Sequence, residues 1–216
     1  MVNAKPKDFI EVSYVGRIKD SNKIFDLTDA DLAKKEKIFS ETADYSPKVI
    51  CLGEGHILKS IDEELIGKEV GKYYSLELPP EKAFGKKDPS LVKVVQTSVL
   101  HQQKINPFPG LQINASGLLG TIRAVNSGRT TIDFNHPLAG RNVIYEIKIN
   151  RIVNDNSEKV SGMLKNIIGL KKSDFEVLSL DNKVSIKTKI EIPKEMKSSF
   201  IAVVNKLISD TIVSFD

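Results

Sequence analysis

The stretch DFIEVSYVGRI, from Asp8 to Ile18, and the IFD that follows at residues 24–26 decide the fold. In the first run apolar side chains recur at every second position, at Ile10, Val12, Tyr14 and Ile18. Because successive side chains of a strand point to opposite faces, this alternation predicts a half-buried β-strand. Asp20-Ser-Asn22 has the composition of a turn, and a second strand begins at Ile24. The chain therefore opens with two strands joined by a turn.

The composition is that of an ordinary folded protein. The chain has 216 residues, of which 40% are hydrophobic and 28% charged, so cores can form and disorder is not indicated. The length allows one to three compact units. The sequence holds no apolar run of about 18 residues, and residues 1–8 hold no apolar segment of a secretory signal. We expect a cytoplasmic protein without a membrane partner.

The charge balance and the single cysteine exclude several function classes. The net charge is +4, with acidic and basic residues interspersed, so no nucleic-acid partner is expected. Cys51 cannot form an internal disulfide, which fits a reducing compartment. A nucleophilic cysteine would need a base, and none of the three histidines is adjacent to it in sequence. We interpret Cys51 as a core residue.

Two helices and two further strands are predicted in the first part of the chain. Thr28 resembles the N-cap of a short helix over residues 29–38. The spacing of Ile57, Leu58, Ile61 and Leu65 predicts an amphipathic helix from Ile57 to Ile66, closed by Gly67. Strands are predicted over residues 48–52 and 72–78.

Beyond residue 85 the pattern changes twice. Residues 86–135 contain short β-like runs at 92–100, 112–115, 117–125 and 130–134, and a strong strand follows at 141–153. Residues 154–216 read as a helix ending near Gly169, a hairpin about Asp181-Asn182, a helix from Pro193 to about Ile208, and an edge strand at 211–215. About 60 residues are marginal for an isolated core, so we expect this segment to pack on a partner, for which a second copy of the chain is a candidate.

An ordered set of motifs resembles the FKBP-type prolyl isomerases. It comprises Val12-Ser-Tyr14-Val-Gly16-Arg-Ile with Phe25-Asp26, Leu52-Gly53, Gly55-His-Ile57-Leu58-Lys-Ser-Ile61-Asp-Glu-Glu-Leu-Ile-Gly67, Val70-Gly71 and Pro80-Glu-Lys-Ala83-Phe84-Gly85. Asn135-His136-Pro137-Leu138-Ala139-Gly140 resembles the point where SlyD-like members return from an inserted flap domain. The whole chain is similar to the long-chain archaeal FKBP-type proteins.

The resemblance implies an α+β fold in which a twisted antiparallel FKBP sheet wraps a short helix. It assigns the FKBP domain to residues 1–85 and 136–153, with a small β-rich insert-in-flap domain at 86–135. The segment 154–216 is then a C-terminal α/β domain built as helix, hairpin and helix.

The resemblance also implies the site. Its catalytic positions are Tyr14, Asp26, Ile57, Leu58, Phe84 and Tyr145, and its other pocket positions are Phe25, Ile50 and Ile61. The client-binding positions of the flap are Val94, Val95, Leu100, Phe108, Leu111, Leu118 and Leu119. Asp26 would hydrogen-bond to Tyr14, and Ile57 would offer its backbone N–H to the substrate. Two positions depart from the family pattern, with Phe84 in place of a tyrosine and Ile61 in place of a tryptophan.

The chemistry of Xaa–Pro isomerisation fits such a site. The twisted amide at the top of the barrier has lost resonance, so a dry apolar pocket favours it without nucleophile, cofactor or metal. Residues 205–216 carry no His or Cys, so no metal is expected. The partners would be unfolded or nascent polypeptides containing proline. Two alternatives stay open, namely a non-catalytic holdase with a vestigial pocket and a C-terminal adaptor for dimerisation or ribosome contact.

Overall fold

The computed structural model describes residues 2–115, 117–180, 182–209 and 211–215. The chain divides into two compact units. One unit joins the stretch that ends at Leu78 to the stretch that begins at Val143, and the other is Pro79–Asn142.

The described residues form twelve strands and five α-helices. The strands are β1 (Phe9–Ile18), β2 (Ile24–Leu27), β3 (Lys48–Cys51), β4 (Tyr73–Leu78), β5 (Val92–Gln96), β6 (Gln112–Ala115), β7 (Leu118–Asn126), β8 (Arg129–Asp133), β9 (Val143–Ile152), β10 (Phe175–Leu180), β11 (Lys183–Thr188) and β12 (Ile212–Phe215). The helices are α1 (Ala30–Lys35), α2 (Lys59–Leu65), α3 (Thr97–Gln102), α4 (Asn156–Met163), which continues as a π-helical turn at Leu164–Ile168, and α5 (Lys194–Leu207).

Strand β1, which the alternation of its side chains predicted, pairs with three other strands of the first unit. One edge of β1 pairs antiparallel with β3 and then with β2, and its other edge pairs with β9, which in turn pairs with β4. The buried side chains of β1 and β9 share one face of this five-stranded sheet. A mixed α/β fold with antiparallel sheets and few helices is thereby confirmed.

Helices α1 and α2 are shorter than the sequence indicated. The N-cap of α1 is Asp29, whose carboxylate accepts the N–H groups of Asp31 and Leu32; the expectation that Thr28 caps it was wrong. Thr28 is instead buried and bonded to the backbone of Tyr14. Helix α2 begins at Lys59, so Ile57 and Leu58 precede it rather than open it. Gly67 does take the left-handed conformation, with φ of 82°.

The C-terminal segment completes the first unit. Strands β10 and β11 form an antiparallel pair, and β12 adds parallel to β11 at the edge. The predicted hairpin turn includes Asp181, which lies outside the described residues. A continuous core joins the segment to the first sheet, because Phe9, Cys51 and Val153 pack in one cluster with residues of α4, β10, β11 and α5. This shared core supplies the apolar cover that about 60 residues alone would lack.

The second unit is a four-stranded sheet in the order β5-β8-β7-β6 with one helix. Its core is small and consists of Leu100, Ile113, Ile122 and Ile132. The predicted β-run at 92–100 was wrong in its second half, where Thr97–Gln102 form α3. No helix within the described ranges is long and apolar enough to cross a membrane.

Gly162 marks where α4 meets β3. A Cβ at this position would lie 2.7 Å from the Cβ and 2.8 Å from the carbonyl oxygen of Val49. The Asn166 side chain donates to the same carbonyl at 2.7 Å. The helix therefore approaches the strand more closely than any residue with a side chain would permit.

We expect Gly162→Ala to destabilise the first unit by about 1–3 kcal/mol through overpacking. On helix propensity alone, the same change would stabilise a helix by about 1 kcal/mol. Urea unfolding followed by tyrosine fluorescence measures this unit alone, because all five tyrosines lie in it. The neighbouring change Ser161→Ala is the control. A Gly162→Ala protein as stable as the wild type would contradict the close approach.

Candidate active site

A tyrosine and a carboxylate meet on the buried face of the first sheet. Tyr14 lies on β1 and Asp26 on β2, and the Tyr14 hydroxyl donates to Asp26 Oδ2 at 2.9 Å. The backbone of Tyr14 is fixed by Thr28, whose Oγ1 accepts the Tyr14 N–H at 2.8 Å. Tyr14 is 3% exposed, so little of its side chain is in contact with water. The bond predicted between these two side chains is present in the structure.

A β-bulge lets two consecutive residues of β2 reach the same region. Gly16 pairs with Asp26 while Arg17 pairs with Ile24, so Phe25 is the extra residue on β2. In a regular strand Phe25 and Asp26 would point to opposite faces. Here Phe25 packs edge-on against Tyr145, with 5.6 Å between ring centroids, while Asp26 bonds to Tyr14.

Gly16 provides the space for this aromatic cluster. It pairs with Asp26 on one side and with Tyr145 of β9 on the other. A Cβ at Gly16 would lie 2.8 Å from the Phe25 ring and 3.1 Å from that of Tyr145. The Tyr14 and Tyr145 rings lie 5.7 Å apart at a tilt of 58°. The glycine of the VSYVG motif is thus required for the rings to converge.

The electrostatics keep both tyrosines protonated. Burial raises the pKa of Tyr14 and of Tyr145 above their ordinary value, and the nearby Asp26 charge raises both further. The Tyr14 hydroxyl therefore acts as a donor to the Asp26 carboxylate at any physiological pH. The site offers fixed dipoles and apolar walls, and its tyrosines are not proton-transfer groups.

The other predicted pocket residues of the first unit lie on β3, on α2 and in the loop between them. Ile50 of β3 pairs with Ile10 of β1 and is fully buried. Ile61 is fully buried on α2. Ile57 and Leu58 are half-buried in the loop between β3 and α2, where Leu58 is the N-cap position.

Two residues of this loop region were not singled out from the sequence. Asp62 of α2 is 3% exposed, and its two oxygens accept the N–H groups of Gly53 and Gly55, each at 3.0 Å. The Nδ1 atom of His56 accepts the N–H of Cys51 at 3.1 Å. The only sequence signal was Asp62 itself, an acid on the apolar face of a helix, at the position after Ile61.

Cys51 takes no part in this chemistry. Burial raises the pKa of its thiol to about 12, so the thiol stays protonated. Its Sγ lies 3.6 Å from the Lys7 carbonyl oxygen, and His56 meets its backbone rather than its sulfur. The interpretation as a core residue fits this geometry. Among the described residues, no group of three or more His, Cys, Asp or Glu side chains could hold a metal ion.

Comparison with known proteins decides the family. The model of the FKBP-type peptidyl-prolyl cis-trans isomerases matches residues 2–101. A short-type peptidyl-prolyl cis-trans isomerase of Methanocaldococcus jannaschii is 31% identical over 159 residues, which are 73% of this chain and 100% of the relative. The chain belongs to the FKBP-type peptidyl-prolyl cis-trans isomerase family. It is accordingly an isomerase of Xaa–Pro peptide bonds.

Two further relatives of this isomerase also belong to the FKBP-type family. A probable FKBP-type 16 kDa peptidyl-prolyl cis-trans isomerase of Pseudomonas fluorescens is 30% identical over 50% of this chain and 74% of its own length. The SlyD isomerase of Aeromonas hydrophila is 23% identical over 58% of this chain and 60% of its own length. The model of the FKBP26 IF domain matches residues 93–138, which lie in the second unit.

The second unit of the isomerase contains the remaining predicted site residues. Phe84 stacks on His136, with parallel rings 4.8 Å apart. Of the flap positions, four are well exposed, namely Val94, Phe108, Leu118 and Leu119. Val95 and Leu111 are half-buried against the core, and Leu100 belongs to that core. Val95 and Leu100 also line a cavity of about 290 Å³ with Val99, Ile105 and Phe134.

The burial of His56 predicts a pH dependence of stability. Burial lowers its pKa below the ordinary 6.5, although the Asp62 and Glu54 charges oppose the shift. Between the two pKa values the unfolded chain binds a proton that the folded chain does not. The free energy of unfolding is therefore constant above pH 6.5 in this respect and falls as the pH decreases below it.

We expect His56→Asn to flatten this decrease, since asparagine accepts a hydrogen bond without titrating. Urea unfolding by tyrosine fluorescence between pH 5 and pH 7.5 measures the slope in the first unit. His101→Asn, at an exposed position of the second unit, is the control and should leave the slope unchanged. If the two variants show equal slopes, His56 is not the titrating group.

Proposed function

We propose that the aromatic face of the first unit is the pocket in which the isomerase twists Xaa–Pro bonds. The observation that carries this proposal is the convergence of Tyr14, Phe25, Asp26 and Tyr145 around Gly16, with one carboxylate among apolar groups. Ile50, Ile57, Leu58 and Ile61 extend the apolar wall. The catalytic role that the family resemblance implies for Phe84, a residue of the second unit, stays a prediction. The substrate would be the proline segment of an unfolded or nascent polypeptide.

The proposed mechanism is desolvation of the amide. The barrier to rotation is about 20 kcal/mol because the planar amide is stabilised by resonance. The planar ground state places more negative charge on its carbonyl oxygen than the twisted state does, so it gains more from water. Removing that water raises the ground state relative to the twisted state. No bond is broken, which is why the pocket needs no nucleophile.

Asp26 acts in this proposal as a fixed acceptor. Its carboxylate orients the Tyr14 ring. Its negative charge would lie near the carbonyl whose oxygen loses negative charge as the amide twists. A hydrogen bond to a charged partner is worth about 1.5–3 kcal/mol. Losing Asp26 would also leave the buried Tyr14 hydroxyl without this acceptor.

We expect Asp26→Ala to reduce kcat/KM for a proline tetrapeptide by about ten-fold or more, as the loss of about 1.4 kcal/mol of transition-state stabilisation requires. A protease-free peptide isomerisation assay measures this. Asp31→Ala, at a carboxylate in the first turn of α1, is the control and should retain full activity. An Asp26→Ala enzyme with wild-type kcat/KM would remove Asp26 from the site.

We further propose that the second unit binds the non-native chain. Its core is small, while Val94, Phe108, Leu118 and Leu119 are each more than half exposed. Apolar groups in such number on a small unit are typical of an interaction surface. Because the second unit and the pocket belong to one chain, binding a client to that unit raises the effective concentration of the client's prolines at the pocket. Peptides too short to reach both sites would gain nothing from it.

The triple change Phe108→Ser, Leu118→Ser and Leu119→Ser should therefore weaken activity on protein substrates and leave activity on short peptides. We expect acceleration of proline-limited refolding to fall by about ten-fold or more while tetrapeptide turnover is retained, because only the tether is lost. Leu178→Ser with Leu180→Ser, at equally exposed positions of β10, is the control and should change neither. Equal loss in the triple variant and the control would contradict client binding by the second unit.

The sequence also left open a holdase with a vestigial pocket, and membership of the isomerase family argues against it. It is motivated by Phe84 and Ile61, which lack the hydroxyl and the indole of the family pattern. Such a protein would suppress aggregation and yet turn over no tetrapeptide, with or without the triple change. The wild-type peptide assay therefore decides between the two.

The domain division is part of the proposal. It places the FKBP domain at residues 1–85 and 136–153, the insert at 86–135 and a C-terminal helix-hairpin-helix domain at 154–216. Dimerisation through the C-terminal domain also stays a prediction. The core that this segment shares with β1 and β3 gives it a partner within its own chain.

A further inference from the structure

Asp62 is a buried acid that the proposed chemistry does not use. It lies in the first turn of α2, between the apolar positions Ile61 and Leu65, and is almost inaccessible to water. Taking a carboxylate out of water costs several kcal/mol unless hydrogen bonds replace the water. The replacement here comes from two backbone N–H groups of a single loop, those of Gly53 and Gly55, each at 3.0 Å.

These two bonds fix an otherwise soft piece of backbone. Gly53 and Gly55 both have positive φ, 89° and 71°, a conformation in which glycine has no Cβ to restrict it. A loop that contains two such residues samples many conformations unless something holds it. One carboxylate bonded to both glycines closes the loop against α2, since its two oxygens are a fixed distance apart. Bonds to a charged acceptor are also about twice as strong as neutral ones.

Neighbouring contacts hold the same loop from its other sides. The Cys51 N–H donates to His56 Nδ1, which spans the loop from end to end. Glu54, between the two glycines, accepts from Lys206 of α5 at 3.0 Å. The loop leads directly into Ile57, whose backbone N–H would, by the family resemblance, donate a hydrogen bond to the substrate carbonyl.

We propose that Asp62 is a positioning residue for the isomerase reaction, which holds the Gly53–Gly55 loop so that Ile57 and Leu58 are presented to the substrate in one conformation. This inference rests on the proposed pocket. Asp62 itself need not touch the substrate. It acts by keeping the binding-competent loop conformation populated before the substrate arrives.

The expected signature is a change in KM rather than in kcat. If the loop is competent only a tenth of the time, the apparent affinity falls about ten-fold, because binding then includes the cost of ordering it. Once the substrate is bound and the loop ordered, the chemical step proceeds as before. A merely structural role would lower the amount of folded enzyme instead, and KM would be unchanged.

Asp62→Asn is the test variant, since the amide keeps the shape and one acceptor oxygen but turns an NH₂ toward the second glycine. Tetrapeptide kinetics give KM and kcat, and amide hydrogen exchange by NMR follows Gly53 and Gly55 in the full-length chain. Leu65→Val, a cavity on the same helix without loss of either bond, is the matched control. Both variants are assayed at a temperature where urea titration shows them folded.

We expect Asp62→Asn to raise KM about ten-fold with kcat within about two-fold, and to accelerate amide exchange at Gly53 and Gly55. Leu65→Val should show neither effect. An unchanged KM, or a fall in kcat alone, would overturn the proposal, as would exchange rates at the two glycines equal to those of the wild type. If the wild type itself turns over no peptide, the proposed pocket fails, while the exchange rates still decide whether Asp62 holds the loop.

Discussion

The pairing of β1 with β9 is the constraint on which the rest of the structure depends. The two strands pair antiparallel along almost the whole length of β1, although the entire second unit lies between them in sequence. Because both strands are buried on the same face, a shift of one residue would expose that face, so the register is strongly specified. This register places Tyr145 opposite Gly16 and leaves the other edge of β1 for β2 and β3.

What could be predicted from the sequence follows from periodicity and motif order. The alternation in β1, the strand β9, the helix α5 and the glycine that ends α2 were predicted from neighbours in sequence, and the structure has them. The bond between Tyr14 and Asp26 was predicted from the family motif. Helix α3 was missed because Val92–Leu100 is rich in β-branched residues up to Val99, and tertiary packing of Leu100 prevails over that propensity.

The parts that could not be predicted depend on non-local geometry. The bulge that turns Phe25 and Asp26 toward the same region leaves no mark in either residue type, since it is a property of the pairing with β1. The cap of α1 at Asp29 rather than Thr28 has a similar origin. Thr28 bonds to the backbone of Tyr14, a residue distant in sequence, and is therefore not available as a cap. Asp62 stands out in sequence as an acid on the apolar face of a helix, but its partners Gly53 and Gly55 are known only once the loop before it is placed.

Asp26 and Asp62 have the same kind of structural role in the first unit. A pocket that excludes water also needs the residues that line it to keep one conformation, and apolar contacts alone are non-directional. Asp26 fixes a side chain and Asp62 fixes a backbone, each through acceptor oxygens turned toward protein N–H or O–H groups. Neither needs to change protonation for this task.

The loop that Asp62 holds also carries Glu54, which is bonded to Lys206 of α5, and it begins at Cys51, which lies in the core shared with α4 and α5. The C-terminal segment thus packs directly behind the loop that enters the proposed pocket. We infer that the segment limits the conformations of that loop through Lys206 and the shared core.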